Sequence, residues 1–420
     1  MSSPPLSDAT DRNPPPRIGF VVPLLLMLAV QALTSASSQA IPVLSTEAAI
    51  DFGVDKERVG FFVSAAYFVS MLAALFGGTY AARYGAIRVS QVSLIFCALG
   101  LLVFVIGSAW ILVPAALVLG LGYGPATPAS SQILARVTPA RLLNVVFSIK
   151  QTGVPLGGII AGAIIAPLVV FAGWRWAAVA LAGTCLLLAL GLQPLRAALD
   201  IEKAAARPTL KQLFRPLKTL FGMPELLRFS LISISFSALQ VCLSTYLVIF
   251  LIERTGSGLI AAGLVLTATQ LAGVGGRIFW GSIADWTRRP RLVLALLGLA
   301  MTAGALAMSL VDASWSHEAL LALVVLFGGT AIGWNGVFLA EVARIAGPAR
   351  AGELTGATAV FTFAGPMLGP SLFGLLLLLF ESYGIAFAVM GGFTLIGGLL
   401  LLKDARHEHA SLRQVMESAL

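Results

Sequence analysis

The stretch GGRIFWGSIADWTRRPR, residues Gly275–Arg291, passes from an apolar run into a cluster of cations within a few positions. Arg277 lies inside a segment long enough to cross a membrane, whereas Asp285 marks the point where that segment ends. The arginines after Asp285 place the following residues in water. A charged side chain inside a membrane span is costly and is normally kept for a function. Arg277 is therefore the first candidate for a functional residue.

The composition predicts an all-helical protein that crosses a membrane many times. Of the 420 residues, 58% are hydrophobic and only 11% are charged, and the mean hydropathy is +0.94. A soluble domain carries about 25% charged residues, so the composition excludes that class. The apolar runs are long and unbroken, which favours helices over a β-barrel. The net charge of +8 is then expected in loops, and no nucleic-acid partner is expected.

Twelve apolar runs have the length of about 20 residues that a transmembrane helix needs. They fall at 18–43, 58–82, 88–108, 111–135, 143–171, 175–195, 226–252, 258–283, 292–311, 318–342, 354–380 and 383–402. We expect a disordered cytoplasmic tail (1–17), a first half of six helices (18–195), a basic cytoplasmic linker (196–224), a second half of six helices (225–403) and a cytoplasmic tail (404–420).

The distribution of Lys and Arg predicts that both termini are cytoplasmic. With the amino terminus inside, 21 of the 27 cations lie on the cytoplasmic side, four lie outside and two lie in the membrane. Such an excess is typical of cytoplasmic loops. For a bacterial protein this places the chain in the inner (plasma) membrane.

Short motifs recur in the two halves of the chain. The turn after the second run reads Gly78-x-x-Ala81-Ala82-Arg83-x-Gly85-x-x-Arg88, and a related turn, Gly281-x-x-Ala284-Asp285-x-x-Arg288, starts 203 residues later. Pro155-Leu156-Gly157 in the fifth run is matched by Pro366-Met367-Leu368-Gly369 in the eleventh. Two parallel halves predict a pseudo-two-fold axis along the membrane normal, with a path for a small molecule between them.

The paired turns, the repeat and Gly173-Trp174-Arg175-Trp176 at the start of the sixth run resemble the major facilitator superfamily over nearly the whole chain, in its prokaryotic twelve-span form. The resemblance implies twelve transmembrane helices in two pseudo-symmetric halves, and transport by alternating access. The first turn departs from the family pattern because Ala82 stands at the usual acidic position, whereas Asp285 keeps the acid in the second turn.

The turns and the fifth run supply candidates for gating. An Asp at a helix end can pair with arginines and latch one conformation, and a run of Gly and Pro bends a helix and admits close neighbours. The alternative is static packing, with charges that only set the topology. The gating candidates are Gly78, Arg83, Gly85, Gly281, Asp285, Arg288, Gly153, Pro155 and Gly157.

Two cations lie at a similar depth in the membrane. Lys150 is about 13 Å from Arg141 along a helix, and Arg277 is about 12 Å from Asp285. In the fold that the resemblance implies, the fifth and eighth spans are neighbours, so both cations would face one cavity. No carboxylate lies at that depth in the sequence, and an anionic substrate would supply the missing charge. The alternatives are that Arg277 binds helix-end carbonyls or Asp285, and that Lys150 snorkels to the surface.

Other substrate-binding candidates are neutral. Arg277 stands in a place similar to the substrate-binding arginine of oxalate/formate antiporters and monocarboxylate transporters, but their second cation has no counterpart here. Polar side chains near the two cations could line the same path, with hydrogen bonding or packing between helices as the alternative. They are Gln151, Gln31, Ser35, Tyr123 and Asn335, followed by the weaker candidates Gln39, Gln270 and Trp334.

The sequence therefore predicts a secondary active transporter of a small organic anion such as a carboxylate, working by exchange or proton symport. The expected partners are the anion, the lipid bilayer, and protons or a counter-anion, and the chain is expected to be a monomer. The alternative is efflux of a drug or metabolite by proton antiport. The run Gly153–Gly158 is similar to the span-five signature of drug/proton antiporters, but its Gly-Pro order is altered. No metal-ligand cluster and no nucleophile beside a base is seen in the sequence, so no enzyme, metal or cofactor is expected.

Overall fold

In a computed structural model of the protein, the described residues are 19–55, 58–139, 142–200, 210–312, 314–346 and 351–418. The predicted disordered tail, residues 1–17, lies outside these ranges. Every regular element within them is a helix. Twelve stretches of the described chain are long and apolar enough to cross a membrane, which confirms the predicted number of spans.

The helices follow the apolar runs, and we number the spans 1 to 12 along the chain. Spans 1 to 4 are Val21–Phe52, Val59–Tyr84, Ala86–Val105 and Leu112–Val137. Span 5 consists of four consecutive pieces, Leu143–Gln151, Gly153–Ile160, Ala161–Ile165 (a π-helix) and Ala166–Ala172. Span 6 is Trp174–Gly191. Spans 7 to 12 are formed by Pro224–Thr255, Leu259–Thr287, Pro290–Ser309, the pair His317–Ala331 and Asn335–Ala346, Ala351–Phe380 and Tyr383–Ser418.

Small residues bring the helices of each half into close contact. A methyl group added at Gly120 of span 4 would lie 2.3 Å from the carbonyl oxygen of Ala66 in span 2. One turn further along, a methyl group at Gly124 would lie 2.3 Å from the carbonyl oxygen of Ser70. Membrane helices pack through small residues because lipid offers no hydrophobic drive for association. Spans 2 and 4 therefore approach backbone to backbone.

The two halves meet on one side of the membrane. We call the side where span 1 begins the near side and the opposite side the far side. On the far side, the backbone N–H of Ser371 in span 11 donates to Ser64 Oγ of span 2 at 3.0 Å. A methyl group at Gly162 of span 5 would lie 2.2 Å from the carbonyl oxygen of Gly263 in span 8. Spans 2 and 11, and spans 5 and 8, thus close the far side.

The near side lacks such contacts at the two repeated turns. A methyl group at Gly281 would meet no atom within 4 Å, and one at Gly78 would meet only Pro128 of its own half, at 3.9 Å. Neither Gly78 nor Gly281 therefore contacts the other half among the residues that the structure describes.

A short helix, Leu210–Phe221, lies in the predicted linker and packs on the second half. Leu220 is fully buried, and the Phe221 ring lies 6.4 Å from that of Phe361 in span 11. Its basic residues are interleaved with the apolar ones, as expected for a helix that lies along a membrane surface.

Candidate functional site

Pro155 decides the local structure of span 5. Proline has no N–H, so the carbonyl group of Gln151, four residues earlier, has no helical donor. The helix Leu143–Gln151 ends at that point, and Gly153–Ile160 continues the span after Thr152. The sequence thus leaves one unsatisfied carbonyl oxygen in the middle of the bundle.

Two glycines beside the break let span 1 approach it. A methyl group at Gly157 would lie 2.5 Å from the Ala36 nitrogen, and one at Gly153 would lie 2.8 Å from Gln31 Cβ. Both glycines are gating candidates from the sequence, and the structure places both at the contact between spans 1 and 5. Their gating role stays a prediction.

Arg277 of span 8 binds the free carbonyl from the other half. Its Nη1 donates to the Gln151 carbonyl oxygen at 2.8 Å, and its Nε donates to the Ile332 carbonyl oxygen at 3.2 Å. Ile332 follows the helix His317–Ala331, at the turn that divides span 10. One guanidinium group therefore joins two helix breaks that belong to different halves. In this state Arg277 has the carbonyl partners of the structural alternative, and three of its five N–H donors are not used by these two bonds.

Lys150 is enclosed by the protein. Only 1% of the residue is exposed, so its side chain does not snorkel to the near-side surface. Its described hydrogen bond is long, 3.4 Å from Nζ to Gln151 Oε1. Among the residues that the structure describes, no carboxylate pairs with Lys150 or with Arg277. Two cations thus lie inside the bundle with only neutral partners.

A chain of neutral hydrogen bonds continues from span 5 across the interface between the halves. Gln39 Nε2 donates to the Val154 carbonyl oxygen at 2.9 Å and to Ser35 Oγ at 2.8 Å. The Ser35 hydroxyl donates to the same carbonyl at 2.9 Å. From span 8, Gln270 Nε2 donates to Gln39 Oε1 at 3.0 Å and to Ser244 Oγ of span 7 at 3.1 Å. Spans 1, 5, 7 and 8 therefore share one polar layer.

Gln31 lies one helical turn before Ser35 and is 1% exposed. Its Oε1 accepts a hydrogen bond from the Thr127 hydroxyl of span 4 at 2.9 Å. Its Nε2 is buried and has no acceptor among the described residues. This amide is thus half satisfied inside the first half.

Tyr123 lies one helical turn before Thr127, on the same face of span 4. Its ring lies 5.6 Å from that of Tyr67 and 6.4 Å from that of Phe363 in span 11. The structure therefore brings Tyr123 to the interface between the halves.

Asn335 begins the second helix of span 10 and binds a residue that sequence reasoning missed. Asn335 Nδ2 donates to Gln240 Oε1 at 3.0 Å, and Trp334 Nε1 donates to the same oxygen at 2.9 Å. Gln240, Ser244 and Thr127 were not predicted. The spacing of Gln240 and Ser244 could have revealed them, because they are one helical turn apart on span 7 and share a face.

The turn between spans 2 and 3 contains a second feature that the sequence did not reveal. Gly85 has φ +97°, and a methyl group there would lie 2.1 Å from Asp200 Cγ. The Asp200 carboxylate accepts from the backbone N–H groups of Ile87 at 2.9 Å and Arg88 at 3.2 Å. These N–H groups belong to the first turn of span 3, and a negative charge at the start of a helix is favourable. Asp200 thus supplies a carboxylate to the turn in which Ala82 replaces the acid.

The other charged gating candidates are on the surface in this state. Arg83 lies 5.3 Å from the centre of the neighbouring Tyr84 ring. Asp285 and Arg288 are exposed, and Arg288 ends span 8 in a left-handed conformation with φ 53°. Neither of them forms an ion pair with any residue in the described ranges. A latch that involves Asp285 stays a prediction for another conformation.

A buried glutamate joins three helices of the second half at the near side. Glu341 of span 10, whose side chain is 0% exposed, accepts from Arg291 Nε at 2.6 Å and from Arg344 Nε at 2.6 Å. Arg291 also pairs with Glu225 at the start of span 7. These ion pairs link spans 7, 9 and 10.

We expect Glu341→Gln to lower the free energy of unfolding by about 3 kcal/mol, because it removes the buried carboxylate to which both Arg291 and Arg344 donate. Glu225→Gln is the matched control. Its side chain is 52% exposed, so the change is expected to cost about 0–1 kcal/mol. Thermal unfolding of the purified variants measures both effects. Equal melting temperatures for the two variants would contradict this assignment.

Comparison with known proteins defines the class. The family model described as "Major Facilitator Superfamily" matches residues 24–370. This chain therefore belongs to the major facilitator superfamily, whose members are multi-pass membrane transporters rather than enzymes.

Two curated relatives are "Uncharacterized MFS-type transporter MT3072" of Mycobacterium tuberculosis (strain CDC 1551 / Oshkosh) and "Uncharacterized MFS-type transporter Rv2994" of M. tuberculosis (strain ATCC 25618 / H37Rv). Each is 26% identical to this chain over 281 residues. The matched region covers 66% of this chain and 60% of each relative's length.

A solved structure with a similar fold is the peptide transporter POT in complex with sulfate. The TM-score is 0.73 at 16% identity, with 94% of this chain and 96% of that chain covered. At this identity the likeness establishes the fold alone, with twelve helices in two pseudo-symmetric halves.

Proposed function

We propose that this protein carries a small organic anion, such as a carboxylate, across the membrane by alternating access. Lys150 and Arg277 attract the anion, and Gln151, Gln31, Ser35, Tyr123 and Asn335 line its site. The protein belongs in the inner membrane of a bacterium with both termini cytoplasmic, so that the near side faces the cytoplasm. The chain works as a monomer.

The observation that supports an anion is the pair of cations with neutral partners. Lys150 is buried with one long hydrogen bond to an amide oxygen, and Arg277 is held by two carbonyl oxygens. Carbonyl dipoles offset part of the cost of a buried guanidinium group but leave its net charge. A carboxylate would supply that charge and would match the planar fork of the arginine.

The charged residues also limit how transport can be coupled to the movement of a proton or a second ion. A proton relay in a membrane span normally uses Asp, Glu or His. Among the carboxylates that the structure describes, Asp285 and Glu341 lie near the contact between the two halves, and both lie toward a membrane surface, near the ends of spans 8 and 10. We therefore propose exchange against a counter-anion, or symport in which the proton arrives with the anion. The place of Arg277 is similar to that of the substrate-binding arginine in oxalate/formate antiporters, which supports the proposal by analogy alone.

Drug or metabolite efflux is the second candidate. The observation that favours it is the aromatic contact of Tyr67, Tyr123 and Phe363 between the halves, which would suit an apolar cargo. An exporter of this kind is expected to tolerate the loss of the charge at Lys150.

A binding screen separates the two candidates. The purified protein is heated with acetate, lactate, succinate, methanesulfonate, sulfate or phosphate, and separately with the amphipathic cation ethidium. A ligand that binds only the folded state adds about 2.7 kcal/mol of stability at 100 times its Kd. We expect a carboxylate to raise the melting temperature of the wild type, whereas stabilisation by ethidium alone would favour efflux.

Charge removal tests the roles of the two cations. Lys150→Ala and Arg277→Ala are expected to lose both the stabilisation by the carboxylate and its uptake into proteoliposomes. Lys218→Ala is the control, because Lys218 is exposed on the linker helix. Wild-type uptake in both Lys150→Ala and Arg277→Ala would refute the proposal.

A further inference from the structure

Six carboxamide side chains from five spans lie in the polar layer of the bundle. They are Gln31, Gln39, Gln151, Gln240, Gln270 and Asn335. Gln39 and Gln270 bond to each other across the two halves, whereas Gln31 bonds to Thr127 of its own half and Gln151 bonds to the neighbouring Lys150. A carboxamide is neutral and offers both N–H donors and an oxygen acceptor. Such a set is matched to a ligand that carries hydroxyl groups, which also donate and accept.

Gln31 shows where this matching is incomplete. Its oxygen accepts from Thr127 at 2.9 Å, but its Nε2 is buried and has no protein acceptor in the described chain. A buried donor without an acceptor is unfavourable, and such groups are rare in native proteins. Other buried polar atoms without a partner lie elsewhere, as at Gln91 between spans 3 and 6. Gln31 differs from Gln91 because it lies beside the cations.

The path from the cations to Gln31 is short and continuous. Arg277 binds the carbonyl group of Gln151, and Gly153, two residues later, packs directly on the Gln31 side chain. The next turn of span 1 places Ser35 against the Val154 carbonyl at 2.9 Å. Gln31 therefore belongs to the same surface of the first half that Arg277 contacts from the second half.

We propose that the transported anion is a hydroxylated carboxylate, whose carboxylate group binds Arg277 and Lys150 and whose hydroxyl group accepts a hydrogen bond from Gln31 Nε2. This inference rests on the proposed function and names the substrate class of the same site. The hydroxyl proton is donated in turn to a carboxamide oxygen, for which Gln151 Oε1 is in place, because its described partner is the long bond from Lys150. A plain carboxylate of equal length leaves the Gln31 donor unsatisfied.

Matched ligand pairs test the inference. The full-length protein in detergent is titrated by thermal shift with lactate and propionate, with malate and succinate, and with gluconate and hexanoate. Within at least one pair we expect the hydroxylated member to bind about tenfold more tightly, since one neutral hydrogen bond contributes on that order. Equal affinities within all three pairs would overturn the inference.

Gln31→Met assigns the preference to one side chain. Methionine has nearly the same length but no N–H, so the preference for the hydroxylated member of each pair is expected to disappear. Gln91→Met is the control. Gln91 is also buried, but its Nε2 donates to the Ala189 carbonyl at 2.8 Å and to Gln193 Oε1 at 3.0 Å. The Gln91→Met protein is therefore expected to keep the preference for the hydroxylated ligand.

The melting temperature without ligand separates a binding role from a structural one. Gln31→Met removes an unsatisfied donor together with one bond, that from Thr127, so the melting temperature of the unliganded protein is expected to fall less than that of Gln91→Met, which loses two bonds. A persistent preference in Gln31→Met would overturn the inference and leave the anion proposal intact. If no carboxylate of either kind stabilises the wild type, both proposals fail.

Discussion

Arg277→Lys is expected to reduce carboxylate uptake by about 100-fold, although the positive charge is kept. The guanidinium group of Arg277 donates from two different nitrogens to carbonyl groups in different halves, at 2.8 Å and 3.2 Å. A lysine ammonium is a single point that cannot reproduce this fork. Charged hydrogen bonds contribute about 1.5–3 kcal/mol each, so losing the bridge costs about 3 kcal/mol in the state shown. The initial rate of uptake in proteoliposomes measures the loss.

Arg254→Lys is the matched control for this prediction, because Arg254 ends span 7 on the far side and is exposed. Its transport is expected to equal that of the wild type. Should Arg277→Lys retain more than about a third of the wild-type rate, a general requirement for charge would explain Arg277, and the fork geometry would have no special role.

Gly60→Trp is expected to prevent closure of the far side and to stop transport. A methyl group at Gly60 of span 2 would lie 2.0 Å from the Tyr246 hydroxyl oxygen and 2.1 Å from the Pro370 carbonyl oxygen. Tyr246 and Pro370 are themselves hydrogen-bonded at 2.9 Å. No rotamer of a tryptophan relieves a clash with the backbone, so the population of the state shown should fall on the order of 100-fold.

Distances between spin labels on the far side report this change. Cysteines for labelling can replace Ile106 after span 3 and Leu310 after span 9, which are 63% and 71% exposed. The native Cys97, Cys185 and Cys242 are buried and should not react. We expect the far-side distance to lengthen in Gly60→Trp.

Gly281→Trp should have the opposite effect. The structure shows nothing within 4 Å of a methyl group added at Gly281, so tryptophan is expected to fit the state shown and to hinder a closer approach of the two halves at this turn. The far-side distance should therefore stay short in this variant. The same distance in both variants would show that the two glycines do not discriminate between conformations.

The number of spans and the fold could be predicted from the sequence because each depends on local composition. A span needs an unbroken apolar run, and twelve such runs can be counted directly. Arg277 was found because a cation in an apolar run is conspicuous without any knowledge of its neighbours.

The partners could not be predicted, because they come from distant parts of the chain. Arg277 binds the carbonyl of Gln151, and that carbonyl is free only because of Pro155, 122 residues before the arginine. Asp200 caps span 3 more than 100 residues away from it in sequence. Neutral hydrogen bonds such as those of Gln240 give no charge signal at all, so the search for cations overlooked them.

The described contacts that close the far side are made by hydroxyl groups, backbone amides and glycines, none of which changes its ionisation under physiological conditions. The environment on that face can therefore become acidic or saline without altering how firmly the barrier shuts. A transporter built in this way would keep its far side closed through fluctuations of the medium, and its response to acidity would depend on the cargo and on the cations proposed to bind it.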